Sequence, residues 1–234
     1  MTPEALHEVR GSGATSTAGS TLLHWRWEEA VAPLRHLLTQ GGVLAIPSES
    51  SYGLAVLPGS PEGVDAIYRL KERERGNPLP VIGADSRQLA SLVDAAHPLF
   101  QIAARVWPAP LTIVVPSLRP LAATRGATLG VRVPAHPRLR ALLAKIGSPL
   151  TATSANRAGE PPILDPTQLP LLLEGTAAGI VEDGVLGGGP PSTVVGWGDM
   201  GPRLLRAGAF PFDRVERAAR NLVSSDASSN GSSS

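Results

Sequence analysis

Cysteine is absent from the 234 residues. This removes a disulfide framework, a thiolate zinc site and a cysteine nucleophile from consideration. No apolar run approaches the eighteen or so residues of a membrane span. The first twenty residues carry Glu4, His7, Glu8 and Arg10 and then a Gly/Ser/Thr stretch, so the apolar core of a signal peptide is missing. A large excess of one charge is missing too: the formal net charge is +1, too close to balance for a strongly basic nucleic-acid binder. Four Trp, two Tyr and three Phe offer few platforms for stacked bases. Together these absences describe a cytosolic globular protein, long enough to bury a core in one large domain.

Single-motif signatures of phosphate and metal chemistry are also lacking. There is no Walker A sequence and no glycine fingerprint between a strand and a helix. His7, His24, His36, His97 and His136 have no metal-ligand spacing. Ser154 lacks the flanking glycines of a nucleophile elbow.

What is present is an alternation of short apolar runs and helical periodicities. Residues 43–46, after Gly41-Gly42, read as a buried strand. Ser60-Pro61 supplies a helix N-cap and a first-turn proline, and Val64, Ile67, Tyr68 and Lys71 then fall on one helical face. Lys71 at the end of an apolar stripe either snorkels outward or points into a cleft. Strands are expected over 79–82, 111–115, 129–133, 149–153, 179–182, 193–195 and 203–205. Helices are expected over 86–93, 99–106, 139–146 and about 212–222. The prolines of Trp107-Pro108-Ala109-Pro110 exclude a helix there. Some strands follow each other without an intervening helix, which predicts an α/β domain with a mixed sheet. Residues 1–20 and 224–234, rich in Gly, Ser and Thr or in Ser and Asn, are expected to be a flexible tail and a disordered tail around a domain spanning 21–223.

The remaining polar residues cluster where strands end: Ser48, Glu49 and Ser50; Lys71, Arg73 and Asn77; Thr128 and Arg132; Ser154 and Asn156; Ser192, Thr193 and Arg206. Open α/β sheets bind ligands outside their strand ends, so this distribution fits one cleft built from several loops. Each residue alone reads equally well as a turn former.

Their order carries a resemblance. Pro47-Ser48-Glu49-Ser50-Ser51-Tyr52-Gly53-Leu54 resembles a PTETVYGL motif, and Lys71-Glu72-Arg73 with Asn77-Pro78-Leu79 resembles KxRP…NPL. Trp107-Pro108-Ala109-Pro110-Leu111-Thr112 is similar to WPGPLT, and Arg132-Val133-Pro134 with His136-Pro137 to RxPxHP. Thr153-Ser154-Ala155-Asn156 with Gly159 is similar to ATSANxSG, and Ser192-Thr193-Val194-Val195 and Arg206-Ala207-Gly208 to the late STVV and RxG pieces. In this order, over residues 41–208, they resemble the YrdC/Sua5 family of threonylcarbamoyl-adenylate synthases, in its short single-domain branch.

The resemblance implies a single YrdC-like domain, with a twisted mixed sheet and helices around a positively charged cavity. It implies a nucleotidyltransferase that joins L-threonine, bicarbonate or CO2 and ATP into threonylcarbamoyl-AMP for tRNA threonylcarbamoyladenosine. By motif position, Lys71, Arg73, Ser154 and Asn156 would be catalytic. Arg73, Asn77, Thr128, Asn156 and Arg206 would contact ATP, and Ser50, Arg132, Ser154 and Ser192 would hold threonine. Mg2+ would accompany ATP, with no protein side chain assigned to it. A tRNA-modifying threonylcarbamoyl transferase complex would take the product, weak tRNA binding would be compatible, and no membrane is involved.

Such residues suffice because the nucleophile belongs to the substrate: the N-carboxylate of threonine attacks the α-phosphate of ATP and expels pyrophosphate. The protein has to position two anions and neutralise them, for which the planar fork of arginine is suited.

Three departures stand out. Ser48 and Ser50 replace both threonines of PTET, Glu74 replaces the proline after Arg73, and Ile82 stands where some relatives carry a threonine-pocket histidine. Two other readings stay open: a YciO-like paralogue of the same fold without synthase activity, and a non-catalytic RNA-binding module.

Overall fold

The computed structural model describes residues 15–17, 20–74, 77–124 and 126–229. Helices surround two six-stranded sheets, where one mixed sheet was expected. The first runs β1 (Thr15–Thr17), β2 (Ser20–Trp25), β10 (Ala178–Val181), β3 (Val43–Pro47), β4 (Tyr52–Ala55), β9 (Thr153–Ser154). The second runs β12 (Gly201–Arg206), β11 (Thr193–Gly198), β6 (Leu111–Pro116), β7 (Thr128–Arg132), β5 (Val81–Ile82), β8 (Leu150–Thr151). Each is mixed: β10 is parallel to both β2 and β3, and β6 is parallel to β11 but antiparallel to β7.

The apolar run expected as one strand over 149–153 explains the division. It splits into β8 and β9, one in each sheet, with Ala152 between them. Fully buried Thr151 locks this crossing, since its Oγ1 accepts from Val56 N at 3.0 Å and its amide donates to Val56 O at 2.9 Å. The Ala152 amide donates to Pro80 O at 2.8 Å. The strand expected over 79–82 contracts to Val81–Ile82, because Pro78 and Pro80 have no N–H to donate to a ladder.

Three of the longer helices start with one device. In α2 (Pro61–Leu70), α4 (Pro98–Val106) and α5 (Pro137–Ile146), a proline follows a side-chain cap. Ser60 Oγ accepts from Gly63 N, His97 Nδ1 from Leu99 N and His136 Nδ1 from Leu139 N, each at 3.1 Å. α1 (Ala32–Thr39) buries Leu34, Leu37 and Leu38, and α3 (Ser86–Ala90) and α6 (Leu169–Leu172) are short. α7 (Phe212–Ser229) packs Val215, Ala218, Ala219 and Leu222 onto the cluster formed by α4 and the second sheet.

The two tails differ from expectation where they are described. β1 places Thr15–Thr17 in the first sheet, paired with β2, and α7 continues to Ser229, beyond the expected end near 222. Helix propagation costs little once a packed stem exists. The rest of the expected tails, residues 1–14, 18–19 and 230–234, lies outside the described residues.

Candidate active site

Pairing in the second sheet gathers distant residues at one end of it. Arg206 at the end of β12 faces Val194, Val194 faces Thr112, and Ile82 of β5 faces Arg132, the last residue of β7. Because these strands run in both directions, the end receives the starts of β6 and β11 and the finishes of β5, β7 and β12. Ser192, just before β11, joins the row: its Oγ lies 2.9 Å from Thr112 Oγ1, and Arg206 Nη2 donates to its carbonyl at 2.8 Å. Burial first, and the nearby Arg132 cation second, lower the pKa of Arg206.

Against this end lies a cavity of about 120 Å³, lined by Glu49, Ser50, Arg132, Gly188, Gly189 and Ser192 among others. The turn between β3 and β4 contributes the first two. Ser48 closes that turn by donating its Oγ to Ser51 O at 2.7 Å. Glu49 Oε2 accepts from Arg132 Nη1 at 3.0 Å and Oε1 accepts from Ala135 N at 2.5 Å. Burial raises the Glu49 pKa, but the Arg132 charge and the amide and guanidinium hydrogen bonds outweigh it, leaving the carboxyl below its ordinary value. The wall of this cavity thus holds one charge of each sign, Glu49 and Arg132.

The loop after β10 supplies Gly188, Gly189 and Pro190 to the same lining. Tyr52 OH donates to Gly184 O at 2.9 Å and accepts from Asp183 N at 3.1 Å. The Asp183 carboxylate takes hydrogen bonds from Trp27 Nε1 (2.9 Å), His136 Nε2 (3.1 Å) and Arg138 Nη1 (3.0 Å). Gly189, at φ +140°, borders the β3–β4 turn, where an added Cβ would lie in ordinary contact with Ser50 Cβ at 3.9 Å.

A second constellation sits where β9 ends. Lys71, 4% exposed, points inward, as the cleft alternative for its stripe requires. Its Nζ donates to Ser154 O (2.5 Å), Asn156 O (2.9 Å) and Asn156 Oδ1 (2.9 Å). The Ser154 hydroxyl donates to Asn156 Oδ1 at 2.5 Å. Burial, and then the cation of Arg73, lower the Lys71 pKa to about 8.

The turn that aims Lys71 and Arg73 is a Schellman motif. Arg73 N donates to Tyr68 O and Glu72 N to Arg69 O, both at 3.1 Å. Glu72, at φ +49°, occupies the left-handed position usually given to glycine, at a cost of about 1–2 kcal/mol. With Glu74 rather than proline after Arg73, this closure defines the chain path here.

Lys71, Ser154 and Asn156 therefore share one hydrogen-bond network, with Arg73 half-buried beside it. Ser50, Arg132 and Ser192 share the cavity, and Arg206 is bonded to Ser192. The two groups adjoin through the first sheet, where Ser154 pairs with Gly53 and Ala155 N donates to Tyr52 O at 2.9 Å.

Asn77 and Thr128 join neither group. Asn77 is exposed and its carbonyl accepts from Tyr68 OH at 2.6 Å. Thr128 is exposed at the start of β7, four residues and so about 13 Å from Arg132 along the strand. Ile82 is buried in β5. The sequence pattern assigned no ligand contact to Glu49 or Thr112, although Glu49 stood among the polar strand-end residues and in the PTETVYGL-like segment, and Thr112 in the WPGPLT-like one.

An α/β protein with a guanidinium, a carboxylate and hydroxyls converging on a small cavity at strand ends belongs to the class that binds small polar ligands there. The chain is a member of the Sua5/YciO/YrdC family, whose model, described as "Telomere recombination", matches residues 36–208.

A threonylcarbamoyl-AMP synthase of Bacillus subtilis is 35% identical over 191 residues, covering 80% of this chain but 55% of the relative. This chain thus spans about half the length of that relative. A threonylcarbamoyl-AMP synthase of Chromohalobacter salexigens is 37% identical over 174 residues, covering 72% of this chain and 91% of the relative. Among solved structures, P. abyssi Sua5 complexed with L-threonine superposes with a TM-score of 0.74 at 28% identity, over 84% of this chain and 60% of that one.

Proposed function

We propose that this chain is an L-threonylcarbamoyladenylate synthase, a nucleotidyltransferase that converts L-threonine, bicarbonate or CO2 and ATP into threonylcarbamoyl-AMP and pyrophosphate. The observation that carries this reading is the meeting of Ser50, Arg132 and Ser192, from three distant segments, in one small cavity beside the Lys71–Ser154–Asn156 network. The names of the relatives at 35–37% identity, and the L-threonine complex of the Sua5 neighbour, support it.

In this reading Arg132 takes the threonine carboxylate, with hydroxyls from Ser50, Ser192 and Ser154 around the amino acid. Arg73 and Arg206 neutralise the phosphates of ATP, Asn156 contacts the nucleotide from its network while Asn77 and Thr128 would have to meet it from outside both groups, and Lys71 holds the end of β9 while adding a cation beside Arg73. The attacking carboxylate comes from the substrate, so these groups act by orientation and charge rather than by covalent catalysis. Among the described residues there is no group of three or more His, Cys, Asp or Glu placed to hold a metal. Magnesium is assigned to the phosphates of ATP, as part of the substrate.

The product would pass to a tRNA-modifying threonylcarbamoyl transferase complex, with at most weak contact to tRNA. No helix among the described residues is long and apolar enough to cross a membrane, and the reading puts the chain in the cytoplasm as a single domain that takes in β1 and the whole of α7. Pyrophosphate release from MgATP, measured with and without L-threonine and bicarbonate, tests the proposal. Release requiring both is expected. No release from folded protein would leave the family fold without this chemistry.

A further inference from the structure

Glu49 has no part in the roles assigned above, yet it supplies the one negative charge of the cavity wall, 3.0 Å from the guanidinium that would take the threonine carboxylate. We propose that Glu49 and Arg132 together read the ligand as a zwitterion, Arg132 taking the α-carboxylate and Glu49 the α-ammonium of a free amino acid. This rests on the threonine-binding reading of the same cavity.

Hydrogen-bonding capacity supports the assignment. A carboxylate has about four lone-pair sites. Arg132 Nη1, Ala135 N and the amide of Glu49 itself already approach Glu49, which leaves room for one further donor. A guanidinium has five N–H donors in a fixed fork. Arg132 gives one of them to Glu49, the one partner found for its guanidinium among the described residues. The pair thus offers an acceptor and several donors side by side, the complement of an ammonium and a carboxylate carried on one carbon.

Charge balance points the same way. A ligand with only an anion would meet Glu49 as a repulsive neighbour, and one with only a cation would meet Arg132. A zwitterion leaves neither charge opposed. Glu49 remains ionised at neutral pH, because the Arg132 charge and the amide hydrogen bonds outweigh its burial. The pair is also well placed to discriminate, since the side chains of Arg132 and Glu49 are only 13% and 22% exposed and water competes little there.

The test is calorimetric binding of L-threonine and of 2,3-dihydroxybutanoate, which keeps the carboxylate and side-chain hydroxyl but has a hydroxyl in place of the ammonium, to the full chain. Wild type should prefer threonine at least tenfold. Glu49→Gln should lose that preference, binding threonine more weakly while binding the hydroxy acid at least as well as wild type does.

Equal weakening of both ligands in Glu49→Gln would overturn the proposal and leave Glu49 as a support for Arg132 only. If that variant does not fold, wild type still decides: equal affinity for the two ligands overturns the proposal. Threonine-dependent pyrophosphate release without any such preference would sink the Glu49 assignment alone. Absence of both threonine binding and release would remove the synthase reading together with it.

Discussion

Titrating Lys71 examines the most heavily constrained cation of the site. The residue is 4% exposed and its ammonium donates to three oxygens within 2.9 Å. Burial, assisted by the Arg73 charge, brings its pKa from 10.5 to about 8. The charged form is therefore penalised in the folded chain relative to the unfolded one, by about 3 kcal/mol at about 1.4 kcal/mol per unit.

The folded pKa lies below the unfolded value, so between about 8 and 10.5 the unfolded chain binds more protons and this contribution to stability grows with pH. It is complete above 10.5 and is lost as the pH falls through about 8. Activity should move the opposite way, because the proposed reaction uses Lys71 as a cation, and turnover should decline as the pH rises past 8.

The chain makes the measurement tractable, since Lys71 and the exposed Lys145 are its only lysines. Selective isotopic labelling of lysine gives two NMR signals, assigned by the loss of one in Lys71→Met. A midpoint near 8 for Lys71 is expected. A midpoint at 10.5 would refute the penalty of burial and any pH dependence of turnover derived from it.

Arg132→Ala should raise the threonine requirement more than the ATP requirement. It should also cost about 3 kcal/mol in urea unfolding, because it leaves the Glu49 carboxylate without its cation; the reverse order of substrate effects would contradict the division of subsites. Arg73→Ala should lower adenylate formation by about 10²–10³, as loss of a charge-stabilising donor does, with an unchanged circular dichroism spectrum, and near wild-type turnover would remove its role. Gly208→Ala should lower stability by about 1–3 kcal/mol and impair threonine binding, because its Cβ would lie 2.3 Å from Pro191 O and 2.5 Å from Ser192 C, on the segment that presents Ser192; thermal unfolding and calorimetry would detect both.

Local chemistry was legible in particular segments. Ser60-Pro61 announced the start of α2, and the glycine pair at 41–42 the approach to β3, because caps and turns depend on a few neighbouring residues. The leucines at 34, 37 and 38 carry the spacing of α1 but no cap signal, and that helix was not anticipated. β4 was not legible either. Tyr52-Gly53-Leu54-Ala55 has no alternation, and its strand conformation follows from pairing with β3 on one side and β9 on the other.

The sequence by itself determined the family, the order of the motifs and the residue types offered to the ligand, since all three are properties of the linear order. Only the tertiary structure decided which of those residues meet. Arg132 and Ser192 converge because the antiparallel β6–β7 pair and the parallel β11–β6 pair bring strand starts and finishes to one end, where the β3–β4 turn of the first sheet adds Ser50, while Thr128 is left at the other end of β7. The split of residues 149–153 between the two sheets, and the Glu49–Arg132 ion pair across 83 residues, were likewise beyond local signals. Their physical basis is long-range pairing, in which the partner of each group is fixed by sheet register and burial rather than by its neighbours in the chain.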